Sequence, residues 1–344
     1  MSLTTDSLKK VYCIIFFSVF FAGVFGQDVH YSQYYAAPLE LNPAQAGLIK
    51  GRMRVGLNSK RQWSSVTKPY QNVAAYFDMQ AVRRKFRKDA LGVGVLFDAD
   101  IAGDSKYSVI KAGCAVSYIK SLSYQNNNFI AVGIMPGIIQ QSIDYTALYY
   151  DNQYNGNYYD PAIDPGEQYG RRSFLNFDLG AGVHWFYQVN KTTQFSAGYA
   201  VGHLTKPRVG YMNDNSIRLN MKHTLYGGSQ FEASPDLDII PGIMFSYQNP
   251  FAEVIFGTML KYNRSKKYID NTSINFGLYG RYADALIVVA GMDYKNINFG
   301  VSYDINLSRL RPASKVRGGL EFSISYTYDK NRYRRIREIP CPIF

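Results

Sequence analysis

The chain has 344 residues and a net charge of +12, from 38 Lys and Arg against 26 Asp and Glu. It contains 30 tyrosines, 21 phenylalanines and 29 glycines. Aromatic residues are favoured on pleated surfaces, and glycine within strands marks bends and close approaches, so the composition favours one large β architecture over a helical one. Three cysteines in so long a chain exclude a disulfide framework.

The first 26 residues are typical of a secretory signal peptide. Lys9 and Lys10 supply a positive region, the apolar run 11–24 follows, and small residues precede Gln27. A membrane-spanning helix needs about 20 apolar residues, so cleavage is favoured over a retained anchor. An exported basic chain is expected to meet outer-membrane lipid and lipopolysaccharide, cell-wall material or acidic protein partners, and no nucleic acid.

Residues 27–50 form a segment that shows neither a strand period nor a helix period. Its two prolines lack backbone donors and favour extended or turn geometry, which prevents strand pairing. A flexible leader, the alternative, would carry fewer rings and more charge. We expect an ordered, irregular segment on the periplasmic side, in the lumen of a barrel or across its mouth, with Tyr34, Tyr35 and Leu41 buried. The candidate plug or partner-binding residues are His30, Tyr34, Tyr35, Pro38, Leu41, Asn42 and Pro43.

Residues 51–328 are predicted to form an all-β, transmembrane antiparallel β-barrel of about 14 strands. In many strands every second residue is aliphatic or aromatic, and the residues between them are Gly, Ser, Asn, Asp or Tyr. This alternation fits lipid on one face and a small, polar lumen on the other. A soluble β-sandwich, the alternative, should carry more Lys and Glu on its outward face. The predicted strands lie near 51–60, 70–80, 90–99, 106–119, 128–141, 173–188, 193–203, 217–231, 236–247, 252–263, 272–282, 286–294, 296–305 and 318–328.

An even number of strands places both ends of the barrel on the periplasmic side. Long loops should then follow odd-numbered strands and face outward, with short turns on the opposite side. The gaps 142–172, 204–216 and 306–317 all follow odd-numbered predicted strands. The Tyr- and Asn-rich loop within the first gap suits protein contact, because large rings lose little entropy when they are fixed. It lacks the full Asp, Asn and Glu pattern of a calcium loop.

Two basic runs lie on the predicted periplasmic side. A turn after the second strand carries the candidate contacts Arg83, Arg84 and Lys85. A basic periplasmic tail, residues 329–344, carries the candidate contacts Arg332, Arg334, Arg335 and Arg337. Each run is interpreted either as solvated surface charge or as a segment that docks to a partner protein. Most barrels end close to their last strand, so the tail is a docking candidate.

No catalytic constellation can be read from the chain. The histidines after the signal peptide are far apart, and no nucleophile motif, metal-ligand spacing or phosphate loop accompanies them. We therefore expect no enzyme activity, no cofactor and no metal site. Cys114 is expected to be a buried strand thiol and Cys341 a tail thiol, with a disulfide between them as the alternative.

Several blocks together resemble the PorP/SprF family, an outer-membrane component of the type IX secretion system of the Bacteroidetes. The blocks are residues 27–47, 61–63, 203–207, 302–310 with the strand that begins at 318–319, and 341–344. The resemblance implies an outer-membrane β-barrel needed for secretion of cell-surface proteins, including gliding adhesins in motile members. It also implies contact with the periplasmic ring components of the machinery or with the carboxy-terminal domains of secreted cargo.

The leading hypothesis is a non-enzymatic barrel that retains or helps deliver cargo at the cell surface. Its external loops would contact cargo proteins, and its periplasmic turn and tail would contact the machinery. A passive porin or a FadL-like hydrophobic-solute transporter is the alternative, since about 14 strands would suit either. An outer-membrane lipase or protease is a third reading, for which no nucleophile–base pair can be found.

Overall fold

The alternation of apolar and polar residues produces a closed sheet. The computed structural model describes residues 28, 30–62, 68–83, 89–166, 171–190, 192–211, 216–265, 272–308 and 317–328. Within these residues, fourteen antiparallel strands follow one another around the barrel, and the first strand pairs with the last. The predicted transmembrane β-barrel architecture is thus confirmed. In the same described ranges, no helix is long and apolar enough to cross a bilayer.

The strand bounds follow the predicted ones closely. Most predicted ends lie within three residues of the observed ends, and the start of β8 is the main difference. The strands are β1 Met53–Gln62, β2 Tyr70–Arg83, β3 Ala90–Ala102, β4 Tyr107–Ser121, β5 Asn128–Ser142, β6 Ser173–Gln188, β7 Thr193–Gly202, β8 Lys222–Ser234, β9 Leu237–Gln248, β10 Phe251–Ser265, β11 Thr272–Arg281, β12 Ala285–Tyr294, β13 Ile297–Asn306 and β14 Arg317–Tyr328.

The late start of β8 has a local cause. Residues 217–221 were predicted to belong to this strand, but the chain there folds back on the connection that follows β7. Leu219 N donates to Pro207 O at 2.8 Å, and Arg208 and Arg218 form an isolated bridge. Backbone groups that would have extended β8 are satisfied within the loop.

The two faces of the sheet differ as a membrane barrel requires. Outward side chains such as Leu57, Phe97 and Ile324 are between 44% and 47% exposed in the isolated chain, although they are large and apolar. Inward side chains such as Asn58 and Lys60 are buried although they are polar. Apolar exposure on this scale is stable only against lipid, so the outward face is the bilayer-facing one.

Cys114 corrects one prediction. It lies on β4 with outward parity and is an exposed free thiol, so the expectation of a buried thiol was wrong. The inward positions beside it are occupied by Ala115 and Ser117, both buried. Cys341 lies outside the described residues.

The connections divide the barrel into two rims. The described residues of the connections after β5 and β7, which are 143–166, 171–172, 203–211 and 216–221, lie at one rim, which we call the long-loop rim. The tight connections 235–236 and 295–296 lie at the opposite end, the short-turn rim. This division matches the predicted alternation of long loops and short turns. β1 therefore begins at the short-turn rim and ends at the long-loop rim.

Candidate functional site: the amino-terminal segment in the lumen

The segment before β1 runs through the barrel from one rim to the other. We call Asp28 and residues 30–52 the lumenal strap. At the long-loop rim, Asp28 N donates to Gln248 Oε1 at 2.9 Å. Nearer the short-turn end of β2, Gly47 N donates to Asp78 Oδ2 at 2.8 Å. At the short-turn rim, Arg52 N donates to Tyr328 O at 2.8 Å.

This path differs from the expectation in one respect. The segment was predicted on the periplasmic side of the barrel, in the lumen or across the mouth. The structure places it in the lumen, but its first described residues lie at the long-loop rim, next to the far ends of β9 and β13. Contacts of the strap with distant strands determine this position, and the local sequence does not encode them.

The two prolines of the strap each begin a helical turn. Pro38 is the first residue of the short helix α1, Pro38–Leu41, and Pro43 is the first of the 3₁₀ turn Pro43–Gln45. The first position of a helix needs no backbone donor, and proline already has a helical φ there. Between the turns, Asn42 Oδ1 accepts from Ala44 N at 2.8 Å and thereby caps the second turn. The expected turn geometry is therefore helical at both positions.

The long-loop half of the strap is held by four buried charges, Lys60, Arg281, Asp304 and Glu321, which we call the strap clamp. Glu321 accepts from the backbone amides of Ser32 at 2.7 Å and of the next residue at 3.0 Å. Lys60 Nζ and Arg281 Nη2 both donate to Ser32 Oγ, at 3.0 and 2.8 Å. No clamp residue is more than 5% exposed.

The charges of the clamp compensate one another. Arg281 Nη1 lies 3.0 Å from Asp304 Oδ2, and Lys60 Nζ lies 3.4 Å from the same oxygen. Removing water from four charges is costly unless each is paired and hydrogen-bonded. The strap supplies several of these hydrogen bonds, so the charged wall of the lumen and the strap require each other.

Glycines in the wall allow the middle of the strap to approach the sheet. A Cβ added to Gly133 of β5 would lie 2.5 Å from Ala44 N. Added Cβ atoms at Gly92 and Gly182 would collide with the strap at Ala46 and Asn42. Real Cβ atoms do not make such contacts. Only glycine fits at these three positions, because the strap packs directly against the backbone of the wall.

An apolar cluster holds the other side of the strap. Tyr34 is buried among residues of β8–β12 that include Tyr226, Ile255 and Tyr279. The Tyr35 ring lies 5.5 Å from the Tyr34 ring, edge-on, and 6.2 Å from that of Tyr279. Tyr34 is buried as expected, but Tyr35 is only half-buried.

The remaining predicted strap residues are distributed along its length. Leu41 is also half-buried, because its side chain lines a cavity. Pro38, Asn42 and Pro43 are buried. His30 is half-buried, with Nε2 3.9 Å from Glu253 Oε1.

A second set of charges lies closer to the long-loop rim. We call it the rim ion cluster; its members are Asp28, Glu40, Lys111, Asp178, His203 and Lys222. His203 lies between two carboxylates, with Nε2 2.7 Å from Asp28 Oδ2 and Nδ1 2.7 Å from Asp178 Oδ2. Burial alone would lower the pKa of His203, but the two carboxylates outweigh it and raise the pKa to about 9.

The basic candidates are mostly outside the described residues. Arg83 is the last residue of β2 at the short-turn rim, and Arg84 and Lys85 fall outside the described ranges. The four tail arginines, Arg332, Arg334, Arg335 and Arg337, also lie outside them. The structure therefore brings together the strap candidates and leaves the basic ones as sequence-based predictions.

Sequence reasoning missed the charged wall that holds the strap. Lys60, Lys111 and Glu321 occupy inward positions well inside strands. Ionisable groups at membrane depth are costly and usually have partners inside the protein. A search for charges at the inward-facing positions of each strand would have identified the clamp and the strand members of the rim ion cluster, Lys111, Asp178 and Lys222.

The long loop predicted for protein contact lies at the long-loop rim. Tyr149, Tyr154 and Tyr158 are 59–79% exposed, and the rings of Tyr149 and Tyr159 lie 4.7 Å apart. Among the described residues, no group of three His, Cys, Asp or Glu side chains is arranged to hold a metal ion. The exposed rings of this loop lie beside exposed charged residues of the same rim, such as Asp151 and Arg172.

A closed barrel with an apolar outer face and a charged lumen that contains its own amino-terminal segment defines an outer-membrane β-barrel protein. The family model for the type IX secretion system membrane protein PorP/SprF matches residues 24–331. The chain belongs to this family. The match covers the strap and all fourteen described strands.

Solved structures show the same fold in transporters from two bacteria. The toluene transporter TbuX of Ralstonia pickettii is 11% identical, with 84% of this chain and 92% of that chain covered and a TM-score of 0.52. The toluene transporter TodX of Pseudomonas putida is 10% identical, with 87% and 94% covered and a TM-score of 0.52. At these identities the likeness shows the fold alone. No curated protein matches the chain.

Proposed function

We propose that the protein is a non-enzymatic part of the type IX machinery, needed for secretion or surface attachment of cargo proteins. In motile species the cargo would include gliding adhesins. The family match over residues 24–331 carries this proposal. The strap supports this proposal. Because it occupies the lumen, the two rims are the surfaces on which partner proteins would bind.

Each rim has a partner in this proposal. The exposed tyrosines of the long loop would contact secreted cargo or its carboxy-terminal domain, since rigid rings give large contact areas at low entropic cost. The basic turn at residues 83–88 and the tail 329–344 would contact periplasmic ring components. Lipid and lipopolysaccharide would surround the apolar outer face and its rims.

A deletion strain tests the proposal. We expect the deletion to abolish surface display of one or more cargo proteins, measured by labelling intact cells and by blotting the medium. Complementation with the full chain should restore display. A deletion strain that secretes and displays all its surface proteins normally would show that the proposal is wrong.

Loop variants locate the cargo surface. The triple change Tyr149→Ser, Tyr154→Ser and Tyr158→Ser should reduce display at least several-fold without loss of the barrel from the membrane. Tyr124→Ser is the matched control, because Tyr124 is 94% exposed in the connection after β4, at the short-turn rim. An equal loss with the control would exclude a specific cargo surface on the long loop.

The alternative function is a passive porin or FadL-like transporter of hydrophobic solutes. The observation in its favour is a partly apolar cavity in the long-loop half of the lumen. Liposomes that contain the purified protein test this reading. They should swell in sugar solutions, or take up toluene faster than empty liposomes, only if the alternative is correct.

A further inference from the structure

Five exposed cations lie together at the long-loop rim, just before β6 and in the connection between β7 and β8. We call them the basic patch; they are Arg171, Arg172, Lys206, Arg208 and Arg218. Backbone and side-chain contacts join them. Arg171 N donates to Tyr211 O at 3.2 Å, and Arg218 Nη1 donates to Lys206 O at 3.3 Å.

Two members of the basic patch are directly opposed. Arg208 and Arg218 form an isolated antiparallel bridge. Backbone hydrogen bonds flank this pair on both sides, including the one from Val209 N to Ile217 O at 3.0 Å, so the arginines are a non-hydrogen-bonded pair. In such a pair the Cα atoms are about 4.5 Å apart and both side chains project from the same face. Like charges placed in this way repel each other, and an anion between them removes the repulsion.

The opposed arginines face away from the barrel. Pro207 is buried, and Val209 and Leu219 are half-buried, so their face of the bridge packs against the protein. Successive residues of a strand point to opposite faces. Arg208 and Arg218 therefore project into the surroundings of the rim, where both are exposed.

The carboxylates that adjoin the basic patch have other partners. Asp144, whose neighbour in the chain donates to Arg172 O, has its Oδ2 3.8 Å from Lys106 Nζ. Asp178 pairs with His203 at 2.7 Å. Within the described ranges, no carboxylate forms an ion pair with a member of the patch. The chemical complement of the patch is therefore an anion from outside the described chain.

The basic patch lies beside the lipid-facing surface of the barrel. Tyr199 and His223 lie on the outward faces of β7 and β8, hydrogen-bonded at 2.8 Å with their rings 6.2 Å apart. Aromatic side chains at the ends of membrane strands mark the boundary between headgroups and hydrocarbon. On β6, Leu175 and Phe177 are exposed on the outward face. Leu175 is only about 10 Å along the strand from Arg172, since each residue adds about 3.4 Å.

We propose that the basic patch binds a phosphate group of lipopolysaccharide. With the long-loop rim outward, the adjacent lipid is that of the outer leaflet, where lipid A carries its phosphates at headgroup level. Guanidinium groups bind phosphate oxygens through paired hydrogen bonds. The phosphate would lie between Arg208 and Arg218, and the acyl chains of the same molecule would lie along the outward face of β6.

An acidic segment of a partner protein is the other anion that could meet this rim. The exposed apolar residues next to the patch favour the lipid, because they match its acyl chains and would not suit a charged peptide. The site makes the general lipopolysaccharide contact of the proposed function specific. It rests on the same outer-membrane location and orientation, and not on the role in secretion.

Two forms of lipid A test the phosphate requirement. One carries its phosphates, and the other has the same acyl chains but no phosphate. Native mass spectrometry of the full-length protein, delipidated in detergent, measures the binding of each. We expect the phosphorylated form to bind at least about tenfold more tightly. Equal binding of the two forms, or binding of neither, would overturn the proposal. Tighter binding of a short polyglutamate peptide would also overturn it, in favour of a protein partner.

Charge-removing variants test the location. Arg208→Gln combined with Arg218→Gln should weaken binding of phosphorylated lipid A at least about tenfold. Arg61→Gln combined with Arg317→Gln is the matched control. These two arginines are exposed near the long-loop ends of β1 and β14, on the side of the barrel opposite β7. The control removes the same charge from the same rim and should change binding by less than about twofold.

Heat-dependent gel mobility identifies the variants that fold. Unchanged binding in the folded Arg208 and Arg218 double variant would overturn the location, as would an equal loss in the control. Lipid A binding is measured on purified protein, whereas cargo display is measured on cells. Failure of lipid A to bind would therefore leave the secretion proposal standing, and normal cargo display in the deletion strain would leave the lipid site standing.

Discussion

Glu321 is the single side chain on which the position of the strap depends most directly. Its carboxylate accepts two strap amides and the side-chain amide of Asn58, at 3.1 Å, and it is fully buried. Hydrogen bonds to an ionised acceptor are stronger than those between neutral groups. A glutamine at this position has the same shape, but only one of its two terminal atoms can accept.

Glu321→Gln should therefore lower the free energy of unfolding by about 2–3 kcal/mol. The measurement is urea unfolding of the barrel in lipid vesicles, followed by tryptophan fluorescence. Asp236→Asn, at an exposed position in the turn between β8 and β9, is the control and should change stability little. Identical unfolding midpoints for wild type and Glu321→Gln would contradict the role assigned to the carboxylate.

His203 makes the attachment of the strap dependent on pH. Its pKa is about 9 in the folded protein and near its ordinary value, about 6.5, in the unfolded chain. A raised pKa stabilises the folded state fully below the unfolded value, and the contribution is lost as pH rises through about 9. Asp28 and Asp178 face the His203 ring. Lys111 lies behind Asp28, because its Nζ donates to the Asp28 carboxylate.

Wild-type stability should therefore fall more steeply between pH 7 and 9 than that of His203→Gln, which cannot titrate there. Thermal unfolding across this range measures the difference, together with hydrogen exchange at the long-loop end of the strap. Superimposable pH profiles for the two proteins would show that the His203 ion pairs do not stabilise the strap.

At the scale of elements, the strands were predictable and the strap path was not. Lipid on one face and polar groups on the other impose a period of two, which is visible in β11 and β14 without any structure. The strap has no period, and its position depends on contacts such as that from Ser32 to Glu321, 289 residues away. Its prolines predicted turns correctly, but no local signal specifies the rim at which it begins.

Substitution of Gly133 tests the close packing of the strap against the barrel wall. Gly133→Ala introduces a Cβ that collides with Ala44, so the strap must move, at a cost of about 1–3 kcal/mol. We expect loss of hydrogen-exchange protection across residues 42–47 and a gain of sugar permeability in liposomes. Gly227→Ala, with outward parity, is the control. Protection and permeability that equal those of wild type would show that the strap does not depend on this close approach.

At the scale of the whole molecule, the strap and β1 run in opposite directions through the same lumen. The chain is at the long-loop rim at Asp28 and has reached the short-turn rim at Arg52, where β1 begins its return. A barrel that closes around this segment must admit it before β1 and β14 pair. We propose that removal of the predicted signal peptide precedes closure, because an apolar anchor held in the inner membrane could not reach the far rim.

This topology predicts that the chain at Asp28 is accessible from outside the cell. An epitope placed immediately before Asp28 should bind antibody on intact cells, because the strap delivers that end of the chain to the long-loop rim. The same epitope in the turn at residues 295–296 should bind only after the outer membrane is permeabilised. Equal protection of both epitopes on intact cells would show that the direction assigned to the strap is wrong. Exposure of the turn epitope alone would show that the orientation assigned to the barrel is wrong.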